Sequence, residues 1–233
     1  MHILLCETMY KLDFSIMIPF MPILLKGLKM SLIIGICSFI IAIILSIIVG
    51  LIRYNKPSNL LMKIIYYILG IYVEIFRGTP LLVQLFIFYF AFPNIGIRIP
   101  AILAAIIAMS LNSAAYYAEN VRASINSIEK GQYEAAKTLG YNKWQTNLFI
   151  ILPQAIRIAI PPFMNGFSTI IKETSIVSTI PIVELMRTGN QIYAKNFRSF
   201  EIYVTLALIY FMINYPITFL AKHIESRLSE WIS

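Results

Sequence analysis

The chain has 233 residues, 59% of them hydrophobic and only 13% charged, with a net charge of +8. A soluble domain carries about 25% charge, so the composition excludes an ordinary soluble fold and indicates one polytopic membrane domain. The positive balance does not point to nucleic acid, because the basic residues are scattered at the ends of apolar runs and form no stripe; orientation in a bilayer accounts for them better.

Residues 1–25 mix apolar side chains with Glu7, Lys11, Asp13, Pro19 and Pro22, which reads as an interfacial, external segment. Met30 to Ile52 is uncharged and predicts the first spanning helix, since some 20 residues at about 1.5 Å each cross a bilayer core of roughly 30 Å. Arg53, Lys56 and Lys63 follow without an acid, and Pro57 marks a turn; this side is expected to be cytoplasmic. A second helix runs from Ile64 to Phe90, with Gly78 and Pro80 breaking or bending it. A broken helix at membrane depth lines a cavity or packs inside protein. Glu74 and Arg77, three residues apart, are spaced to pair on one face.

The third helix spans Ala101 to Arg122 and carries a polar stripe of Asn112, Tyr116, Glu119 and Asn120. A polar stretch follows at about 123–152. Here Gly140 is a natural left-handed helix stop, and Asn142 is placed to cap a second short helix through Lys143 and Trp144. Two short helices meeting at a glycine make an elbow. Its alanines admit a close approach, while Tyr133, Leu139 and Trp144 offer apolar anchors.

Helix four starts at Leu152-Pro153 and is interrupted by Pro161, Pro162, Asn165 and Gly166. Its uncharged run, Ile158 to Ile171, is too short to span alone, and such segments mark transport pathways. Thr174 to Pro181 reads as a re-entrant or surface element, followed by a polar loop to about Arg198. Helix five is Ile202 to Ala221, with a charged cytoplasmic tail at 223–233. The expectation is five spanning helices within 26–222, with the N-terminus outside and the C-terminus inside.

Buried ionisable groups are costly in a bilayer, so each has two readings. Glu173 either holds the ammonium or basic side chain of a passing solute, or pairs with Lys172, Arg77 or another base to fix helix packing. Arg77 either clamps a solute carboxylate or pairs with Glu74. Gln84 and Asn112 bond either a solute or a neighbouring helix. With Asn165 and Thr174 these residues make up the candidate solute pathway. Cys6 and Cys37 have no metal-ligand spacing and read as unpaired, and no metal site is expected. The sequence has no GxxxxGK[ST], so P-loop hydrolysis of ATP is not expected of this chain.

The spacing Glu134-Ala135-Ala136, three residues, Gly140, nine residues, Ile150, one residue, Leu152-Pro153 resembles the EAA loop of the membrane subunits of ABC importers. Further stretches are similar to the polar amino-acid group of these permeases, which takes up histidine, glutamine, arginine or cystine. Phe76 to Gln84 looks like its FRGTPLLVQ signature, and Leu152 to Arg157 its LPQAxR segment. Lys172-Glu173-Thr174-Ser175-Ile176 stands where the group has KDTSL, with Glu173 for Asp and Ile176 for Leu. The resemblance implies an all-α membrane protein with five transmembrane helices of the type I ABC importer permease fold and a cytoplasmic coupling-helix elbow. It implies a bacterial inner or plasma membrane location and alternating access. Implied partners are two ABC ATPase subunits, an extracellular or periplasmic amino-acid-binding protein, and a second permease copy or paralogue. ATP and magnesium would belong to the ATPase, leaving this chain without a cofactor. The coupling residues implied are Tyr133, Glu134, Ala135, Ala136, Leu139, Gly140 and Trp144. A secondary transporter of another class would want more helices or an internal repeat, and a channel subunit would not need the polar elbow.

Overall fold

The computed structural model describes residues 12–54, 57 and 59–229. Glu7, Lys11, Lys56, Glu230 and Cys6 lie outside them. No strand occurs among the described residues. Four helices are long and apolar enough to cross a membrane, and a fifth crossing results if one sharply bent pair counts as a single span. The chain is an all-α membrane protein.

Helix α1 is Met21–Tyr54, entered through a tight helical turn at Phe14–Phe20. It therefore starts well before Met30. Pro22 sits in the first turn, where a missing N–H costs nothing, and Lys26 and Lys29 point outward near the end of the span. One face of α1 is a row of small residues: Gly27, Ser31, Gly35, Ser38, Ala42, Ser46 and Gly50, all buried. Lipid tails are as apolar as leucine, so helices in a bilayer associate by close packing, and small residues permit it. A Cβ on Gly27 would lie 2.5 Å from the Thr188 hydroxyl, one on Gly35 2.6 Å from Ile171, and one on Gly50 2.8 Å from Val121 and 2.9 Å from the Ala118 carbonyl. Three later helices thus lean on one stripe.

The longest of these contacts is with α4, Ala101–Asn126, whose buried face is itself small: Ala104, Ala105, Ala108, Ala114, Ala115 and Ala118. Gly50→Leu would have to part the two backbones. Overpacking costs about 1–3 kcal/mol in a core, and here backbone atoms cannot yield, so the upper end applies. The expected outcome is a lower unfolding temperature in detergent and reduced membrane yield, whereas Ile48→Leu, on the exposed face, leaves both unchanged. Equal stability of the two variants would show that the stripe is not what holds α1 to α4.

Helix α2 is Leu60–Gly78, and α3, Leu81–Phe86, continues as wider and tighter turns to Ile95. The two arms meet at 108°, where Gly78 and Pro80 predicted a break. Helix α5, Lys130–Thr138, and the single turn α6, Lys143–Gln145, form the elbow. Beyond it a π-type stretch at Thr146–Ile151 leads into α7, Leu152–Glu173, so Lys143–Thr179 is one long helix. Pro161 and Pro162 lie inside α7 without ending it. The expected interruption does not occur; the prolines only withhold two N–H groups from the helix.

The expected polar loop before Arg198 is also corrected. Leu185–Asn196 is a helix, α8. Glu184 accepts at its N-terminus from the Arg187 N–H at 2.7 Å and the Met186 N–H at 3.0 Å, and α8 packs against Gly27. Capping and tertiary contact outweigh its polar composition. The last helix, α9, is Ser199–Ser229. Its Asn214 accepts from the Ser168 hydroxyl of α7 at 2.8 Å.

Candidate translocation cavity and coupling elbow

The bend between α2 and α3 leaves helix-end carbonyls that need donors. Gln84 supplies them: its side-chain amide reaches the Phe76 carbonyl at 2.9 Å, the Thr79 carbonyl at 3.1 Å and the Thr79 hydroxyl at 2.8 Å. Asn112 of α4 donates to the same Phe76 carbonyl at 3.0 Å and to Gln84 Oε1 at 3.1 Å. Backbone at membrane depth must be satisfied internally, and this pair does so. Gln84 and Asn112 therefore staple the bend.

The bend opens a cavity of about 400 Å³ bounded by α4 and α7. Thr79 and Pro80 line it from the bend, Asn112, Ser113, Tyr116, Tyr117 and Asn120 from α4, and Pro162, Asn165, Gly166, Thr169 and Glu173 from α7. The α7 residues recur at steps of three and four, so they share a face. At Gly166, α7 passes close to α4: a Cβ there would meet the Tyr117 ring at 2.4 Å. The structure brings Asn112, Asn165 and Glu173 together. Arg77, Gln84 and Thr174 are not in the lining. Thr174 is buried and donates to the Ile171 carbonyl at 2.7 Å.

Glu173 is the one carboxylate in that lining, amid neutral amides and hydroxyls. No described residue forms an ion pair with it; the nearest positive charge acting on it is Lys172. Arg77 does not pair with Glu74. Its guanidinium lies 5.5 Å from the centre of the Tyr116 ring, and its carbonyl accepts from the Tyr116 hydroxyl at 3.2 Å. The acid that does gather bases is Glu119: it bonds Arg53, at the end of α1, and Arg122, at 2.7 and 3.0 Å. Glu119 does share the stripe's face with Asn112 and Tyr116; what the stripe does not reveal is its bases, one of which comes from the end of α1 and the other from the next turn of α4.

At the elbow, Gly140 has φ +84°. Its N–H donates to the Lys137 carbonyl and that of Tyr141 to the Ala136 carbonyl, both at 3.1 Å, a Schellman closure that a left-handed glycine allows. Asn142 and Gln145 then form a reciprocal capping box. The predicted coupling residues divide into two sets. Ala136 is buried, Tyr133 packs on the cluster of Ile125, Ile128 and Ile151, and the Tyr133 hydroxyl meets that of Tyr54 at 2.9 Å. Burial, and then the Tyr54 hydroxyl, push the Tyr133 phenol well above its ordinary value. Glu134, Ala135, Leu139, Gly140 and Trp144 face outward. Leu139 is 75% and Trp144 73% exposed, an unusual display for large apolar side chains beside charged ones.

Residues 42–230 match the family model of the binding-protein-dependent transport system inner membrane component. The chain is 40% identical over 215 residues to the L-cystine transport system permease protein TcyB of Bacillus subtilis, covering 92% of this chain and 90% of that protein. It is 40% identical over 220 residues to the arginine transport system permease protein ArtQ of the same organism, covering 93% and 97%. Among solved structures, an amino acid ABC transporter crystallised with histidines superposes with a TM-score of 0.86 at 34% identity, over 93% of this chain and 99% of that one.

Proposed function

Because the chain belongs to the family of binding-protein-dependent transport system inner membrane components, we propose that it lines the membrane pathway of an amino-acid importer. The relatives named for cystine and arginine and the solved amino acid transporter support that substrate class. The observation that carries it is the cavity at the α2–α3 bend, where Glu173 faces neutral amides and hydroxyls. One carboxylate among neutral donors and acceptors suits the ammonium of an amino acid, and a cationic side chain adds to the attraction.

In this reading the elbow lies in the cytoplasm and docks on a separate ABC ATPase subunit, which holds ATP and magnesium. The C-terminus shares that side, and the N-terminus is outside. A second permease copy or paralogue closes the open side of the cavity, and an extracellular binding protein delivers the amino acid. The elbow's second arm, from Lys143, and the cavity wall belong to one helix, so a shift imposed at the elbow biases which way the cavity opens.

The test is ATP-dependent uptake by the assembled transporter in vesicles. Leu139→Asp replaces an outward-facing side chain and leaves the elbow's hydrogen bonds intact, so the membrane subunit should still insert and fold. Loss of a central apolar anchor costs about 2 kcal/mol or more of binding, and the ATPase should no longer co-purify. Full-strength docking, with uptake at the original rate, would remove the elbow from this role.

A further inference from the structure

Beside the elbow lie two cavities that share Tyr54 and Asn147. The first, about 200 Å³, is apolar, with walls from Leu51 of α1, Ile125 of α4, and Leu148 and Ile151 of the elbow's second arm. The second, about 630 Å³, is the more polar of the two: Lys137 and Lys143 line it with Tyr133, Tyr141 and Thr146, and no acidic residue does. Neither lysine is ion-paired among the described residues. Leu51 and Tyr54 flank Arg53, the first charge after the uncharged run Met30 to Ile52. The change from apolar to basic lining therefore falls near the end of that run, the level at which acyl chains give way to headgroups.

We propose that the joined slot binds one anionic phospholipid, with its phosphate between Lys137 and Lys143 and the start of an acyl chain along Leu51, Ile125 and Leu148. The polarity gradient selects this ligand. A soluble anion would leave the apolar half unused, and a zwitterionic lipid would bring an ammonium toward two lysines. Basic pockets between membrane helices take acidic headgroups for the same reason. The site is separate from the solute cavity and does not depend on which amino acid is carried. The seated lipid would touch α1, α4 and both arms of the elbow, Trp144 included, and so brace the joint.

The experiment is native mass spectrometry of the full chain, with and without its ATPase subunit, in detergent carrying equal phosphatidylglycerol and phosphatidylcholine. Wild-type protein should retain phosphatidylglycerol with about a thirtyfold preference, on the scale of two surface lysines acting on one acidic lipid. The exposed pair K137Q/K143Q should lose the preference while melting at the same temperature, and Leu148→Asp should lose the lipid altogether. Equal retention of both lipids by wild type, or an unchanged preference in K137Q/K143Q, would overturn the assignment. So would displacement of the lipid by inorganic phosphate, which would mark a soluble-anion site. Retention only when the ATPase is absent would make the slot a protein-docking surface and equally end the proposal. Leu139→Asp separates the two readings, because it breaks ATPase docking without touching the slot.

Discussion

Glu173→Gln is expected to abolish most amino-acid uptake while the transporter assembles normally. The substitution keeps the size of the side chain and removes its charge. In the cavity, Glu173 has no competing base beyond its neighbour Lys172, which is exposed, so a bound ammonium would be its main partner. A hydrogen bond to a charged group contributes about 1.5–3 kcal/mol, so uptake at low solute concentration should fall roughly 10- to 100-fold. Glu173→Asp, the residue usual in the resembling group, should retain a large part of the activity. The readout is initial uptake rate against concentration in vesicles, alongside the yield of intact complex. Unchanged kinetics in the glutamine variant would return Glu173 to helix packing, and a proportional loss of complex would mean that its role is structural.

The second large effect is expected at Glu184, which is buried without exposure at the junction of α1, α8 and α9. Its carboxylate accepts from the amides of Met186 and Arg187, from the Ser31 hydroxyl at 3.1 Å and from the Tyr210 hydroxyl at 3.4 Å. Ser31 in turn accepts from the Leu185 amide at 3.2 Å. Glu184→Leu leaves these donors facing a methyl group, at about 1–3 kcal/mol for each buried group stranded. A total of about 4 kcal/mol, the low end for four donors, would lower the unfolding temperature by roughly 8–16 °C for a chain of this size. Glu184→Gln keeps one acceptor oxygen and should fall in between. If the leucine variant melts with wild type, the network is ornamental and α8 is held by packing on Gly27 alone.

Sequence reasoning reached the architecture because its signals are local. Long uncharged runs announce spans, Gly78 and Pro80 announce a bend, and Gly140 with Asn142 announces the elbow. It did not reach the partners, because partnership is not local. Gln84 and Asn112 are equally good solute ligands on paper, and only the folded bend shows that they serve stranded carbonyls. Glu119 lay on the polar stripe, yet its bases come from α1 and from its own next turn. The small face of α1 was hidden inside an apolar run, where glycine and serine at four-residue steps are easily passed over among isoleucines. α8 has the composition of a loop, because its residues are polar and its stability comes from Glu184 and Gly27, both outside its helical pattern. Pro161 and Pro162 suggest a break, whereas a helix packed on both sides tolerates them.

The continuity of the elbow's second arm with α7 has a mechanical meaning. From Trp144 to Glu173 the helix rises about 44 Å at 1.5 Å per residue. If it pivots near one end, a tilt of about 5° displaces the other by roughly 4 Å, more than the length of a hydrogen bond. The chain thus contains a lever whose short travel at a protein surface exceeds the tolerance of a solute contact deep in the bilayer. The π-type turns at Thr146–Ile151 set how stiff that lever is, since such turns are the softer part of a helix.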